Sequence, residues 1–453
     1  MKKLSYILFF VGSLHFSCTK TFLDKKPDQS LVVPQTLQDL QALLDDANTM
    51  NINLPALGEV SSDDYYVTDA AFASVTTPMF RNAYTWNKDL YEGSPDVIDW
   101  NYTYQQVFYS NVVLEGLEKM NAGQRAEPQF AAEKGSALFF RAFGLYSAAQ
   151  LFCKPFNPAT AAQDIGMPVR TSSDINQKSS RASVKATYGQ ITADLRESLS
   201  YLPQTVGIKT RPSLAAGNGL LARVYLSMGD YPHAFQYAGQ ALQLYSTLLN
   251  YNTASTTRLH PFRKYNDEVI FHSRIYYTAL TNNTSRLRID TGLYAMYQPG
   301  DLRKVLFFTP AVPGQTFKGS YTSTDDLFNG IATDELYLIR AEASARMGNK
   351  DAAMNDLNTL LNSRYSTGTY TQQTAATAGE ALDIVLEERR KELLLRGLRW
   401  SDLRRFNMEK GREVTLKRHL NGQDYFLQPN DAKYILPIPD IVIQLGGIQQ
   451  NPR

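Results

Sequence analysis

Apolar residues return every three or four positions along several stretches of this chain, and each such stretch predicts an amphipathic helix. Residues 36 to 48 open with Thr36, a side chain suited to capping, and place Leu37, Leu40, Leu43 and Leu44 at helical spacing. Helices are predicted next at 102 to 120 and at 131 to 152, the second carrying Leu138, Phe139, Phe143, Leu145, Tyr146 and Leu151. Others follow at 187 to 202, stopped by Pro203, and at 213 to 228, 232 to 249, 333 to 347, 350 to 363 and 379 to 396. Three stretches lack this period. Residues 50 to 100 mix Asn, Asp, Pro, Gly and aromatics, 155 to 183 are rich in Pro and Ser, and 250 to 330 are rich in Tyr, Thr, Asn and Gly, with short strand-like runs such as 269 to 275. Long loops of this kind often carry binding residues.

Two of the predicted hairpins repeat one another 119 residues apart: Ala222 aligns with Ala341, Met228-Gly229 with Met347-Gly348, and Ala234 with Ala353. A small residue in mid-helix lets two helices approach closely, and a glycine at the turn can take positive φ. The pattern resembles a tetratricopeptide repeat, and Arg141-Ala142-Phe143-Gly144-Leu145-Tyr146 looks like the first helix of another copy. The expected fold is mainly α: an interrupted α-α superhelix of such hairpins, with long irregular loop insertions and a few short strands.

The start of the chain changes the picture. Lys2 and Lys3, an apolar run from Leu4 to Leu14, and Ser17 directly before Cys18 form an export signal too short to span a bilayer. Cys18 resembles a lipobox cysteine, the site of lipidation, so residues 1 to 17 are expected to be a lipoprotein signal peptide and 18 to 453 the mature protein. The only other cysteine is Cys153, which a lipidated Cys18 could not pair with. Without Lys2 and Lys3, Lys plus Arg falls from 46 to 44, matching 44 Asp plus Glu, and no basic run suggests a nucleic-acid partner.

Motifs for catalysis are missing: no His-Glu-x-x-His, no Gly-x-Ser-x-Gly, no glycine-rich phosphate loop. His233, His260, His272 and His419 are too dispersed to place a metal pair on one helix. No cofactor and no metal is expected. Glu388 and Glu392 share a helical face near Arg389, Arg396 and Arg399, which could pair with them in a structural network. Acid pairs of a glycosidase can come from distant positions, so a helical glycoside hydrolase stands as a rival reading.

Taken in order, several segments resemble the SusD/RagB family of nutrient-binding outer-membrane lipoproteins. They are Phe22-Leu23-Asp24 to Pro27 after the lipobox, the helix at 36 to 44, Arg141 to Tyr146, Gly166-Met167-Pro168-Val169, Glu388 to Leu393, Gly397 to Arg405, Leu436-Pro437-Ile438-Pro439 and Gln450-Asn451-Pro452. The resemblance covers nearly the whole length. It implies a single domain over 18 to 453, with an N-terminal part at 18 to 130 and the interrupted helical scaffold at 131 to 453. It also implies a lipid-anchored, outward-facing outer-membrane protein that binds a glycan, or in some members a peptide, without altering it. The implied partner is a SusC-type TonB-dependent channel. A repeat scaffold that binds only proteins is a third reading.

The binding residues expected from composition lie where flat rings and planar polar groups crowd together, since sugars present C–H faces and hydroxyls at once. Asp64, Tyr65, Tyr66, Arg81, Trp86, Asn87 and Tyr91 form one such set. Tyr294, Tyr297 and Tyr321, near Phe317, form a second, in a region that resembles another ligand contact of the family.

Overall fold

A computed structural model describes residues 34–453; the expected signal peptide and Cys18 lie outside the described residues. The chain opens with α1 (Leu37–Leu44), where Thr36 and Asp39 form a reciprocal cap, and α2 (Ala47–Met50), capped by Asp46. The expected helix at 36 to 48 is thus two pieces, divided where Asp46 bonds the next turn. The stretch from 50 to 100 contains three short helices, α3 (Leu57–Ser61), α4 (Asp69–Ala73) and α5 (Pro78–Tyr84), and the strand β1 (Tyr65–Tyr66).

The scaffold then begins. Helix α6 (Ile98–Glu118) packs along α8 (Pro128–Phe152), with the single turn α7 (Ala122–Arg125) between them. Gly144 makes this approach possible, because a Cβ there would stand 2.6 Å from Gln106 Oε1 and 2.9 Å from the Thr103 carbonyl. The insert of 155 to 183 pairs β2 (Ile165–Pro168) with β3 (Arg181–Ser183), and α9 (Val184–Ser198) returns against α8. Next come α10 (Leu214–Met228) and α11 (Tyr231–Leu244), which turn on Gly229 at φ +72°, with Asp230 capping the second helix.

The 250 to 330 insertion holds β4 (Val269–Phe271), β5 (Arg288–Ile289), α12 (Thr291–Ala295), α13 (Arg303–Leu306), β6 (Phe308–Pro310), β7 (Gln315–Phe317) and then β8 (Ile331–Ala332). Beyond it α14 (Thr333–Arg346) and α15 (Lys350–Asn362) turn on Gly348 at φ +85°, and α16 (Ala378–Glu392) covers both. The 119-residue repeat is structural: Ala222, Ala234, Ala341 and Ala353 are all fully buried at helix crossings. Helix α11 packs on α14, so the second hairpin continues the superhelix of the first across the insertion. The chain closes with α17 (Arg399–Phe406), the hairpin β9 (Leu416–Leu420) and β10 (Gln423–Leu427), and α18 (Asp440–Gly446). Every sheet among the described residues is one antiparallel pair of strands.

The C-terminal segments tie the scaffold to its insertions. Arg404 donates to the carbonyls of Gln150 and Cys153, Arg181 and Asn451 to that of Phe152, and the Leu436 amide to that of Leu151. Together these satisfy the open carbonyls at the end of α8, and two guanidinium groups face the negative end of its dipole. Glu388 and Glu392 find other partners than the nearby arginines of their own segment. Arg303 bonds both, at 2.7 and 3.0 Å, and Arg364 bonds Glu392 at 2.7 Å. Arg389, on α16, pairs instead with Asp402, while Arg396 and Arg399, beyond the end of that helix, pair with Asp334 and Asp63.

Candidate functional site

The two stretches singled out by composition meet in space. Strand β1 pairs with β5, setting Tyr65 opposite Ile289 and Tyr66 opposite Arg288, and the Asp290 amide continues the ladder to the Asp64 carbonyl at 3.0 Å. The β6–β7 hairpin stands beside them. At its tip Gly314 carries no side chain where a Cβ would come within 3.0 Å of Tyr66 Oη. At its base the half-buried Tyr294 ring meets Phe308 edge-on, 5.2 Å between centroids, with Lys304 Nζ 5.0 Å from the ring centre. Asp290 positions Tyr294 by capping α12 through the Leu293 amide. Val312 at the hairpin tip is 94% exposed. Along one edge Arg81 bonds the Val75 carbonyl and Arg286 the Ser74 hydroxyl, which holds the 74–75 loop in place. The result is an open surface flanked by Tyr66 and Tyr294.

Most of the other candidate side chains turn inward. Tyr65, Tyr84 and Trp86 form a cage around the chain's own Arg418, whose guanidinium carbon lies 5.1, 3.6 and 5.1 Å from the three ring centres. Trp86 is only 3% exposed and donates from Nε1 to the Ser61 carbonyl at 3.0 Å. Tyr65 and Tyr91 are buried, their hydroxyls bonded to the Val60 and Pro437 carbonyls at 2.7 Å each. Tyr297 donates to the Lys391 carbonyl and lies under Arg303. Tyr321 donates to Glu268 at 2.6 Å and lies under Arg396. In these buried rings the negative faces stabilise desolvated internal cations. Asp64 is buried and bonded by Arg390, while Asn87 is exposed, away from the hairpin contacts, and braces its own turn through Asn82 and Asp89. Tyr66, Arg81 and Tyr294 are the candidates left partly open around this surface.

Beneath it runs a network of buried charge. Arg303, Arg364, Lys391 and Arg396 face five carboxylates, Glu268, Asp301, Asp334, Glu388 and Glu392. Burial pushes Glu268 up to about 7 against the pull of Arg364, which accommodates the surplus negative charge as a proton. Oxygens of Glu268, Asp334 and Glu392 lie within 4.8 Å of one another, but Arg364, Arg396, Arg303 and the Tyr321 hydroxyl already occupy them. This donor set fits an ion-pair network better than a metal ion. Nearer the surface, burial raises Asp64, whereas the Arg399 and Arg390 guanidinium groups overcome burial at Asp63 and hold its carboxyl well below the usual range.

A separate groove of about 770 Å³ opens between α6, the 168–179 loop and α18. Its floor carries Trp100, Tyr104 and Phe108, one helical turn apart on one face of α6. In the sequence these rings are less conspicuous than those of the loops because they are spread through a helix, although their i, i+4, i+8 spacing is legible there.

Among the described residues, a helical-repeat scaffold thus carries two of its long loop stretches together on one open surface flanked by Tyr66 and Tyr294. The comparisons with known proteins then place the chain. A family model described as "Starch-binding associating with outer membrane" matches residues 21–226, and the SusD family model matches residues 331–453. The chain belongs to the SusD/RagB family. A putative sugar binding protein from Bacteroides vulgatus shares the fold, with a TM-score of 0.75 at 22% identity over 93% of this chain and 99% of the other. A SusD superfamily protein from Bacteroides thetaiotaomicron aligns with a TM-score of 0.74 at 22% identity, covering 92% and 100%. A laminarin binding SusD-like protein aligns with a TM-score of 0.64 at 18% identity, covering 91% and 97%. Comparison with curated proteins finds no match. No helix among the described residues is long and apolar enough to cross a membrane.

Proposed function

We propose that this protein captures a carbohydrate at the cell surface and hands it, unaltered, to a SusC-type TonB-dependent channel in the outer membrane. In this reading residues 18–453 form one domain, lipid on Cys18 holds it to the membrane, and chemistry on the glycan belongs to other proteins. The observation that carries the reading is the meeting of two distant loop stretches around the β6–β7 hairpin, which leaves Tyr66 and Tyr294 on an open surface while neighbouring rings are engaged inside. An open face suits a long polymer, which must be gripped along its length rather than enclosed. Family membership supports the carbohydrate as ligand and the channel as partner.

The test is affinity electrophoresis through gels containing a panel of polysaccharides, with chromatography of the recovered polymer. One or more glycans should retard the protein and emerge at unchanged chain length. Tyr66→Ala and Tyr294→Ala should each weaken that retardation about tenfold, the upper end of what a stacked ring contributes, with melting temperature unchanged. Retardation by no glycan, or shortening of the polymer, would overturn the reading.

A further inference from the structure

The groove beside α6 has no part in the surface just proposed. We infer that it is a second carbohydrate-binding site, one that selects chains bearing carboxylates, as uronic acid residues do. The inference rests on the carbohydrate-binding reading and goes beyond it in naming a new site and a ligand class.

Shape is the first argument. A groove of about 770 Å³ is the size of a ligand cleft. Along its floor, residues four apart on a helix lie about 6 Å apart on the axis, close to the length of one pyranose unit. Trp100 is buried beneath Tyr104, 4.7 Å between centroids, while Tyr104 is half-buried and Phe108 is 38% exposed. The stripe therefore rises from core to solvent, with Trp100 supporting the partly open Tyr104 ring from below and Phe108 exposed.

The second argument is the rim. Ile175 on the loop and Leu445 on α18 stand on the two walls, 82% and 83% exposed. Single exposed aliphatic side chains are ordinary, but two on the walls of one ring-floored groove add to an apolar lining of the kind that ligand-binding grooves present. Between them the lining supplies amides from Asn176, Gln177 and Gln444, which can donate and accept at once, as hydroxyl-rich ligands require.

Charge then chooses the ligand. Arg170 and Lys178 line the groove, and no Asp or Glu does. Arg170 is fixed by the carbonyls of Asp174 and Gln177 and the Ser179 hydroxyl, so none of these bonds neutralises its charge. Glu115 accepts from Ser172 and Ser173 and Asp174 braces its own turn through the Asn176 amide, and among the described residues neither carboxylate forms a salt bridge with Arg170 or Lys178. Two cations without carboxylate partners, on a ring-floored groove, complement a carboxylate carried on a sugar. A neutral glycan would leave both without a counter-charge, and an acidic peptide would not use the open rings of the floor.

The experiment measures binding of polygalacturonic acid and of a neutral β-glucan of similar length to the full chain, at low and high salt. Phe108→Ala and Lys178→Gln alter exposed side chains, and Tyr66→Ala serves as the control on the other surface. Polygalacturonic acid should bind, with affinity falling as salt rises. Lys178→Gln should weaken it about fivefold, the upper end for one exposed charge pair, and Phe108→Ala about tenfold. Binding of the acidic chain that is insensitive to both groove variants, or no binding of it at all, would overturn the groove assignment. If the neutral glucan still binds and depends on Tyr66, the proposed function survives that failure; if no glycan binds, both fall together.

Discussion

At Trp86 a ring that composition offered to a sugar is instead one wall of a box around Arg418. Tyr65 and Tyr84 make the other walls, and the guanidinium completes its bonds on the carbonyls of Val60, Ser62 and Tyr65. Replacing Trp86 with Ala should therefore lower the melting temperature by several degrees, reflecting a loss of about 3 to 5 kcal/mol, and should not act on ligand binding alone. Thermal denaturation of the variant checks this, and an unchanged melting point would return Trp86 to the list of binding residues. Residue chemistry was legible in the sequence, since both loop stretches do assemble next to one another. Orientation was not legible, because the partner that turns Tyr65 and Trp86 inward lies on β9, more than 300 residues further on. Tyr66, adjacent to Tyr65 on the same strand, faces the other way, as successive residues of a strand do.

Elements were easier to read than contacts. The helices expected at 131 to 152, 213 to 228 and 333 to 347 all form, with ends displaced by no more than a few residues. Their apolar period and the paired alanines and glycines are local signals, and local signals survive in a sequence read alone. The insertions carry no such period, so α3, α4, α5 and the β6–β7 hairpin, whose pairing depends on remote neighbours, went unseen. The glycine at the first hairpin turn permits a direct test. Gly229 adopts φ +72°, and a Cβ there would meet only Tyr231, with Oη at 3.7 Å, an ordinary van der Waals contact, so Gly229→Ala meets no clash and isolates the backbone term. Its expected cost is roughly 1 to 2 kcal/mol, measured by urea denaturation; a neutral result would mean that the turn relaxes to another conformation.

For the whole molecule, stability must vary with pH in a direction set by its buried acids. Burial, reinforced by Asp64, pushes Glu59 up to about 8, and burial raises Asp99 to about 6 and Glu268 to about 7, from ordinary values of 4.5, 3.8 and 4.5. Between pH 5 and 8 the folded protein thus holds protons that the unfolded chain has released, so stability falls as pH rises through this window. Glu342 behaves oppositely. Burial would raise it, but Arg405 outweighs burial and holds it at about 2, and Asp63 is likewise held low by Arg399, so both contributions are lost as pH falls below about 4. Melting temperature should peak near pH 5 and decline toward pH 8, in a scan at constant ionic strength. A steady rise from pH 5 to 8 would show that these carboxyls ionise freely in the folded state.

The clamp on the end of α8 sets an order of events. Its donors Arg404, Leu436 and Asn451 are among the last residues to leave the ribosome, while the carbonyls they satisfy emerge some 250 to 300 positions earlier. A growing chain can wind its early helices, and Arg181 can reach the Phe152 carbonyl soon after α8 is made, but the remaining carbonyls wait until nearly every residue has emerged. Such a latch at the far end works like a delayed fastener: the end of α8 is fully closed only after the tail has arrived.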